Sequence, residues 1–483
     1  MKNHKSLLLS SRVSLLTFLS LAPLLLSTPS EVYAQWGPDT LLVPNGWYAQ
    51  TSFTRCIASG VGGILHVVWM DRRDGNAEIY YKRSSDQGIS WSPDIRLTND
   101  PDSSKFPAVA AAGDDVHVVW IDHRSGTYSI YYKRSSDQGI SWSPEIRLSD
   151  STANSTLPTV WSAGPEVHVV WEDWRGNKMQ IYYKHSSDAG TTWSSDTSLA
   201  SDTLNNASPS VSSSGSNVHV VWGKRSNVIY PGLVYYMHST DRGATWTQGF
   251  RLPDDTTRTD SPSIWASGSS VHVVWTNFSG GNSEIYYKRS TDQGSTWSPD
   301  VRLTSDPAYS ENPSVVVSGS HVHVVWYDGR DGNYEIYYKG STDGGGLWTP
   351  DTRLTYDPNF SYCPSLACTD SMLHVVWSDR RSNFVDKIYY KRNPSGNSGV
   401  EVSSPISLSP CLLVPLSVVP NPFTSFATFP GHSSERFALY DISGRRVGTY
   451  RGDRVGADLA PGVYFLRPVG NKDAKPVRVV KLR

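Results

Sequence analysis

Three kinds of side chain recur in this 483-residue chain at spacings that could support chemistry. The first are carboxylates. Asp86, Asp137, Asp188, Asp241, Asp292 and Asp343 each stand in a Ser-x-Asp-x-Gly-x-Thr/Ser-Trp stretch, with Leu347 at the Thr/Ser position of the last. One carboxylate per turn is too few for a calcium loop, and six like acids are too many for one active site. A carboxylate there can instead accept backbone N–H bonds within a tight turn. The second are carboxylate–guanidinium pairs two residues apart: Asp71 with Arg73, Asp122 with Arg124, Asp173 with Arg175, Asp328 with Arg330 and Asp379 with Arg381. These read as local or neighbour-to-neighbour ion pairs. The third are the histidines of His-Val-Val-Trp, which begins at His66, His117, His168, His219, His272, His323 and His374. Each lies on a different copy of the repeat, so they cannot gather around one metal; packed, hydrogen-bonded histidines are expected. The repeated residues therefore assign no catalytic group, no metal and no cofactor.

The residues that break the repeat are better candidates for a binding site. Arg55, Trp174, Arg258, Phe278, Tyr309 and Glu311 fall at hairpin turns or in connecting loops, with Arg175 beside Trp174. Aromatic rings on such loops suit stacking on sugars. Trp161 and Trp265 also break the pattern, and are expected to pack within a strand.

Elements of one kind must position all of these. The His-Val-Val-Trp intervals are 51, 51, 51, 53, 51 and 51 residues, the mark of stacked or radially arranged units. Within one unit, Val116–Trp120 and Ile130–Lys133 are rich in β-branched and aromatic residues and flank a turn-like cluster, so they form a hairpin. Ile146–Leu148 adds an outer strand, and Pro107–Ala111 an inner one. Four antiparallel strands in such a unit make a propeller blade. Trp36–Leu42 matches the fourth strand Trp91–Leu97, yet precedes the first blade, while the seventh repeat lacks a fourth strand. The expectation is an all-β, seven-bladed propeller over residues 35–393, its last blade completed by the N-terminal strand, which removes free sheet edges.

The six Ser-x-Asp-x-Gly turns resemble the Asp-box, or BNR repeat, of sialidase-like β-propellers. That family contains sialidases, other glycosidases and non-catalytic members. Sialidase chemistry would require an arginine cluster, a tyrosine activated by a glutamate, and an acid. Phe250-Arg-Leu-Pro253 resembles a sialidase signature but occupies an outer-strand slot, far from the axis.

Residues 1–34 have the basic head, apolar stretch and small-residue end of a secretory signal. No other segment is long and apolar enough to cross a bilayer as a helix. Residues 394–415 read as a linker rich in Gly, Ser and Pro. Residues 416–483 carry 11 basic and 5 acidic groups and read as a small β-sandwich. Their landmarks, among them Pro420-Asn-Pro-Phe423, Leu439–Val447 and Leu459–Phe465, resemble the C-terminal sorting domain of the type IX secretion system. The resemblance implies the type IX machinery as a partner and a secreted or outer-membrane surface-attached product. Overall charge is nearly balanced, 44 basic against 45 acidic, which argues against nucleic acid as a partner. Cys56 stands where the other six blades carry proline, and Cys363 adjoins the equivalent Pro364. A Cys56–Cys363 disulfide would bolt the closing blades together, leaving Cys368 and Cys411. The function expected is non-catalytic binding of a glycan or extracellular protein. A sialidase-like exoglycosidase and a purely structural surface protein are the alternatives.

Overall fold

Each copy of the repeat becomes one antiparallel sheet, because its apolar runs are cut by turn residues at fixed places. In the second copy the strands are Ser104–Ala112, Asp115–Asp122, Ser129–Ser135 and Ile146–Arg147, paired in that order. The computed structural model describes residues 36–393 apart from 151, 177, 201–203, 226–231, 370–371 and 383–384. Of the tail it describes 427–428, 436–441, 445–451, 454–455, 459–468 and 477–481. Residues 1–34 and 394–415, expected to be a signal and a linker, lie outside the described residues, as do Pro420–Phe423 and Cys411.

The chain divides into two compact units, Met1–Ser403 and Ser404–Arg483. Among the described residues the first unit holds seven four-stranded antiparallel sheets and no α-helix, an arrangement that fits a propeller. The first strands touch in cyclic succession, from Ile57–Ser59 and Ser104–Ala112 round to Ser361–Thr369, which returns to Ile57–Ser59. The N-terminus completes the last sheet: Thr40 pairs with Tyr390 and Leu41 with Tyr389. Asp39 there meets Arg381 at 2.7 Å and Lys391 at 2.9 Å, as Asp94 meets Arg73 and Lys82 in the first sheet. In the second unit, strands Arg446–Arg451, Arg436–Asp441, Gly462–Pro468 and Val477–Lys481 form one sheet in that order, and Ala427–Thr428 pairs with Arg454–Val455.

The expected disulfide is absent from this structure: Cys56 and Cys363 are buried free thiols. Cys56 Sγ accepts the Ser52 N–H at 2.9 Å and lies 3.6 Å from the Pro107 carbonyl.

The sheets are joined by one repeated contact. Each His-Val-Val-Trp histidine places Nδ1 2.7–2.9 Å from a tyrosine Oη on the third strand of its own sheet: His66–Tyr81, His117–Tyr132, His168–Tyr183, His219–Tyr236, His272–Tyr287, His323–Tyr338 and His374–Tyr390. The tyrosine then reaches the next sheet and meets an indole edge-on, as Tyr81 meets Trp142 at 4.9 Å. The series closes on itself, since Tyr390 meets Trp91 and Tyr338 meets Trp36. Glycine lies under each hydroxyl in the six Asp-box turns. A Cβ on Gly139, whose φ is +81°, would fall 1.8 Å from Tyr81 Oη. Gly139→Ala should therefore cost about 2 kcal/mol or more through steric clash and backbone strain together. Adding Tyr81→Phe should recover part of that loss in a denaturant titration; no loss from the single change would refute the contact.

Burial holds these histidines neutral, down to about 3 for His66, His117, His168, His219, His323 and His374 and about 4 for His272, against an ordinary 6.5. A folded-state value below the unfolded one means that the unfolded chain binds protons first. The contribution is complete above about pH 6.5 and is lost as pH falls toward about 3. Melting temperature should fall steadily between about pH 7 and 4, with proton uptake on unfolding approaching about seven. A flat profile over that range would contradict the joint.

Candidate functional site

The recurrent acids serve their own turns. Asp137 Oδ1 accepts Ser135 Oγ at 2.6 Å, the Ser141 N–H at 2.8 Å and the Ile140 N–H at 3.1 Å, and its Oδ2 accepts Ser141 Oγ at 2.6 Å. These donors hold Asp86, Asp137, Asp241 and Asp292 down at about 2 and lower Asp188 and Asp343 as well. At Asp343 the hydroxyl position is Leu347, and the backbone donors Gly346 and Leu347 remain. No cluster of His, Cys, Asp or Glu among the described residues could hold a metal ion.

The Asp–Arg pairs are equally committed. Asp122 is fully buried and accepts Ser104 Oγ and two Arg124 nitrogens at 2.6–2.9 Å. Arg175, a candidate for ligand binding from sequence, is held in the same way. It bonds Asp173 and Asp196 and lies 3.9 Å over the Tyr182 ring, so it serves the hairpin.

The main cavity is lined by residues of six of the seven repeats. Six first strands slip register just before their proline, and the residue ahead of it takes a positive φ of 45–54°: Phe106, Leu157, Ser208, Ser261, Asn312 and Cys363. Such bulges re-aim side chains and backbone. Five of them line a cavity of about 310 Å³, all but Phe106. The bulges sit at the strand end that carries the Asp–Arg hairpins, since Ser155 pairs with Asp173. The Asp-box turns lie at the other end, where the Gln138 N–H donates to the Asp114 carbonyl.

The first sheet departs from the other six at this ring. Cys56 replaces proline and therefore has an N–H, which donates to Ser365 Oγ of the last sheet at 3.0 Å. Arg55, at the bulge position, does not take a positive φ. Its guanidinium reaches the third and fifth sheets, 4.3 Å from the Trp161 ring centre and 4.9 Å from that of Trp265. The two indoles meet edge-to-face at 4.8 Å. Both do lie in first strands, as expected, but they meet each other across the interior. Arg55 lines the main cavity and a second one of about 170 Å³, and so forms a septum between the two. Burial lowers its pKa to about 9.

Glu172 is the carboxylate among the described lining residues. It is 4% exposed and accepts the Ser208 N–H at 2.6 Å and Thr156 Oγ1 at 3.1 Å; burial raises its pKa. Arg225 also lines the cavity and donates to both Asp260 oxygens at 2.7 Å. That pair exists because the fourth repeat is altered. Lys224 stands where Asp is usual, and Gly223 leaves room, since a Cβ there would lie 3.3 Å from Asp260 Oδ1.

Of the seven residues proposed from sequence, Arg55 alone lines this cavity. Trp174 is half-buried on its hairpin, its N–H bonded to the Asn154 carbonyl. The Arg258 guanidinium lies 5.8 Å over Phe278. Tyr309 is 54% exposed, and Glu311 accepts Tyr327 Oη at 2.6 Å and Ser283 Oγ at 2.9 Å. The sequence reading missed Glu172, Arg225 and Asp260. A signal for Glu172 was present. The residue after His-Val-Val-Trp is Met70, Ile121, Glu172, Gly223, Thr276, Tyr327 or Ser378, a variable point beside a constant tetrapeptide.

Residues 161–375 match the BNR repeat-like domain model, so the chain carries a BNR-repeat domain. No curated protein matches it in sequence. Among solved structures it is similar to the Hadza microbial sialidase Hz136, at 17% identity and TM-score 0.43 over 58% of this chain and 63% of that one. The chain thus spans less than two thirds of that sialidase. It is also similar to an α-L-arabinanase of Penicillium chrysogenum (16%, TM-score 0.41, 58% of this chain and 89% of that one). A third is the Trypanosoma rangeli sialidase (12%, TM-score 0.41, 71% and 54%).

Asp137→Ala should lower stability by about 1 kcal/mol, because the turn loses its acceptor for two N–H groups and two hydroxyls while water partly replaces it. A chelator should leave the melting temperature of the wild type unchanged. A chelator-induced drop would show that these turns hold a cation after all.

Proposed function

We propose that the seven sheets are the blades of a single propeller that binds an extracellular glycan in its central cavity and does not hydrolyse it. In the same reading, residues 1–34 direct export, and 394–415 link the propeller to 416–483, a β-sandwich sorting domain for type IX secretion. The product is then secreted or held at the outer-membrane surface. What supports binding is the lining of the cavity. Phe53, 63% exposed, offers a ring for stacking, and the hydroxyls of Ser208, Ser261 and Ser314 offer hydrogen bonds. This combination of apolar faces and placed polar groups suits a sugar. Hydrolysis of a glycosidic bond ordinarily needs two carboxylates facing it. Glu172 is committed to Ser208 and Thr156, and Asp260 to Arg225.

One observation favours a sialidase-like exoglycosidase instead: the Tyr327–Glu311 hydrogen bond pairs the residue types that such chemistry would use. Against it, neither residue lines the cavity. Burial, then the charge of Glu311, also pushes the Tyr327 phenol well above its usual range, which disfavours a phenolate.

A glycan array on the secreted protein, beside a panel of chromogenic glycosides, separates these readings. Glycan capture without turnover is expected. Phe53→Ala should weaken capture about tenfold, the loss of one stacked ring, whereas Trp174→Ala should leave it unchanged. Turnover that disappears in Tyr327→Phe would establish the enzyme. Capture of neither glycan nor glycoside would leave a protein-binding or purely structural role.

A further inference from the structure

We infer that the end of the first unit that carries the Asp–Arg hairpins holds a second binding surface, outside the central cavity: an arc of exposed aromatic rings that takes an extended, uncharged polysaccharide. It does not rest on the cavity-binding reading above and is tested separately.

Placement comes first. Seven Phe, Tyr and Trp side chains are exposed among the described residues, and six of them stand on three consecutive connections between sheets. Tyr309 leads into the sixth sheet, Tyr356 and Phe360 into the seventh, and Trp47, Tyr48 and Phe53 into the first. The exposed large side chains of the Asp-box turns are aliphatic instead: Ile89, Ile140 and Leu347. The three sheets are neighbours, since Ser310–Ser318 touches Ser361–Thr369, which touches Ile57–Ser59. Three of the rings occupy one equivalent position. The carbonyls of Trp47, Tyr309 and Phe360 accept the N–H groups of Arg72, Gly329 and Arg380, each the residue after its hairpin aspartate, at 2.9–3.0 Å. In the third and fifth sheets the same bond comes from Asn154 and Arg258. Adjacent sheets of one scaffold thus present a ring each, 54%, 40% and 53% exposed at Tyr309, Phe360 and Trp47.

The connection into the first sheet goes beyond what joining requires. Leu42 and Cys56 are 14 residues apart, against 10 between Leu97 and Pro107 and in the five connections that follow. The longer segment is nonetheless tied down. The Trp47 N–H donates to Asp71 at 3.0 Å, the Ala49 N–H to the Asp386 carbonyl at 2.9 Å, and Lys387 Nζ to the Pro44 carbonyl at 3.1 Å. Tyr48 takes a φ of +50°, which is costly for a bulky side chain. Among the described non-glycine residues it is the one positive φ outside the Asp-box turns and the bulges. A fixed, strained segment that turns rings outward is spending stability on presentation.

The chemistry of the arc selects the ligand. An aromatic face stacks on the C–H face of a sugar, and a ring with few rotatable bonds loses little entropy on contact. The rings are separated by exposed polar residues such as Asn45, Ser305 and Asp331, so they lack the contiguous apolar core of a protein interface. Rings on successive sheets suit a periodic ligand, and each further ring engaged by one chain adds to affinity through effective concentration. Charge adds little selection. Arg73 pairs with Asp71, Arg330 with Asp328, and Arg381 with Asp379, leaving Arg72 as an exposed cation beside Trp47.

The test is titration calorimetry on the full chain with cellohexaose, laminarihexaose, maltohexaose and xylohexaose, beside glucose and xylose. At least one hexaose should bind about tenfold or more tightly than its monosaccharide. Trp47→Ala, Tyr309→Ala and Phe360→Ala should each weaken that hexaose about fivefold while preserving the melting temperature. Phe360 lies 5.4 Å from Tyr334; if Phe360→Ala fails to fold, the other two variants decide. Equal affinity for hexaose and monosaccharide, or a hexaose affinity unmoved by the ring substitutions, would overturn the inference. Hexaose binding lost in Phe53→Ala alone would also overturn it, and would place the chain in the cavity. Hexaose binding that follows the three rings while no array glycan is captured would support the arc and overturn the cavity reading. If no hexaose binds and the ring substitutions instead abolish a dimer seen in sedimentation, the surface is a protein interface and the inference fails.

Discussion

The structure depends on the joint in which a histidine holds a tyrosine across the seam between two sheets. The imidazole is buried and neutral, the phenol is bonded to it, and at six of the seven seams the ring enters a slot that is open because the residue beneath is glycine. One polar contact in a dry seam fixes the direction of a large side chain, and the direction fixes how far one sheet can turn relative to the next. Repetition does the rest. A closed ring requires every seam to have nearly the same geometry, and seven near-identical His–Tyr–Trp sets provide it. The Tyr390–Trp91 and Tyr338–Trp36 contacts show that the first and last sheets of the first unit obey the same rule.

A scaffold held at its seams can vary where the seams do not reach. The Asp-box turns satisfy their own backbone donors, and the Asp–Arg hairpins satisfy their own charges. Both are therefore locally closed systems with little left for a ligand. The inner ends of the first strands are different. There the backbone bulges, the sheets converge, and side chains that differ between repeats face one another across a short distance. Arg55, Trp161, Trp265, Glu172 and Arg225 all come from positions where one or two repeats depart from the rest.

Those departures act in combination. Losing a proline at residue 56 creates a donor and relieves a strained backbone; the side chain before it then spans the interior. Losing the usual aspartate at residue 224, together with Gly223, opens room for the Arg225–Asp260 pair beside the cavity. Neither change could be valued alone, because each matters through residues more than 30 positions away.

Much of this architecture was legible in the chain itself. The 51-residue interval, the alternation of apolar runs with turn residues, and the stray fourth strand at Trp36–Leu42 are local patterns, and local patterns determine strands, turns and their order. The structural roles of the Asp-box acids and of the histidines followed from counting, since a residue repeated in every unit serves the unit. The sequence also marked Arg55, Trp161 and Trp265 as exceptions, but not that they meet. Their contact joins repeats one, three and five, and only closure of the ring brings those positions together. The same holds for the cysteines: sequence placed Cys56 and Cys363 in neighbouring units, and in this structure both are buried thiols. What the sequence determined was each unit and the order of units, because those depend on neighbours along the chain. What the tertiary structure decided was the cavity, because its walls are drawn from several units and exist only once the seams have set their angles.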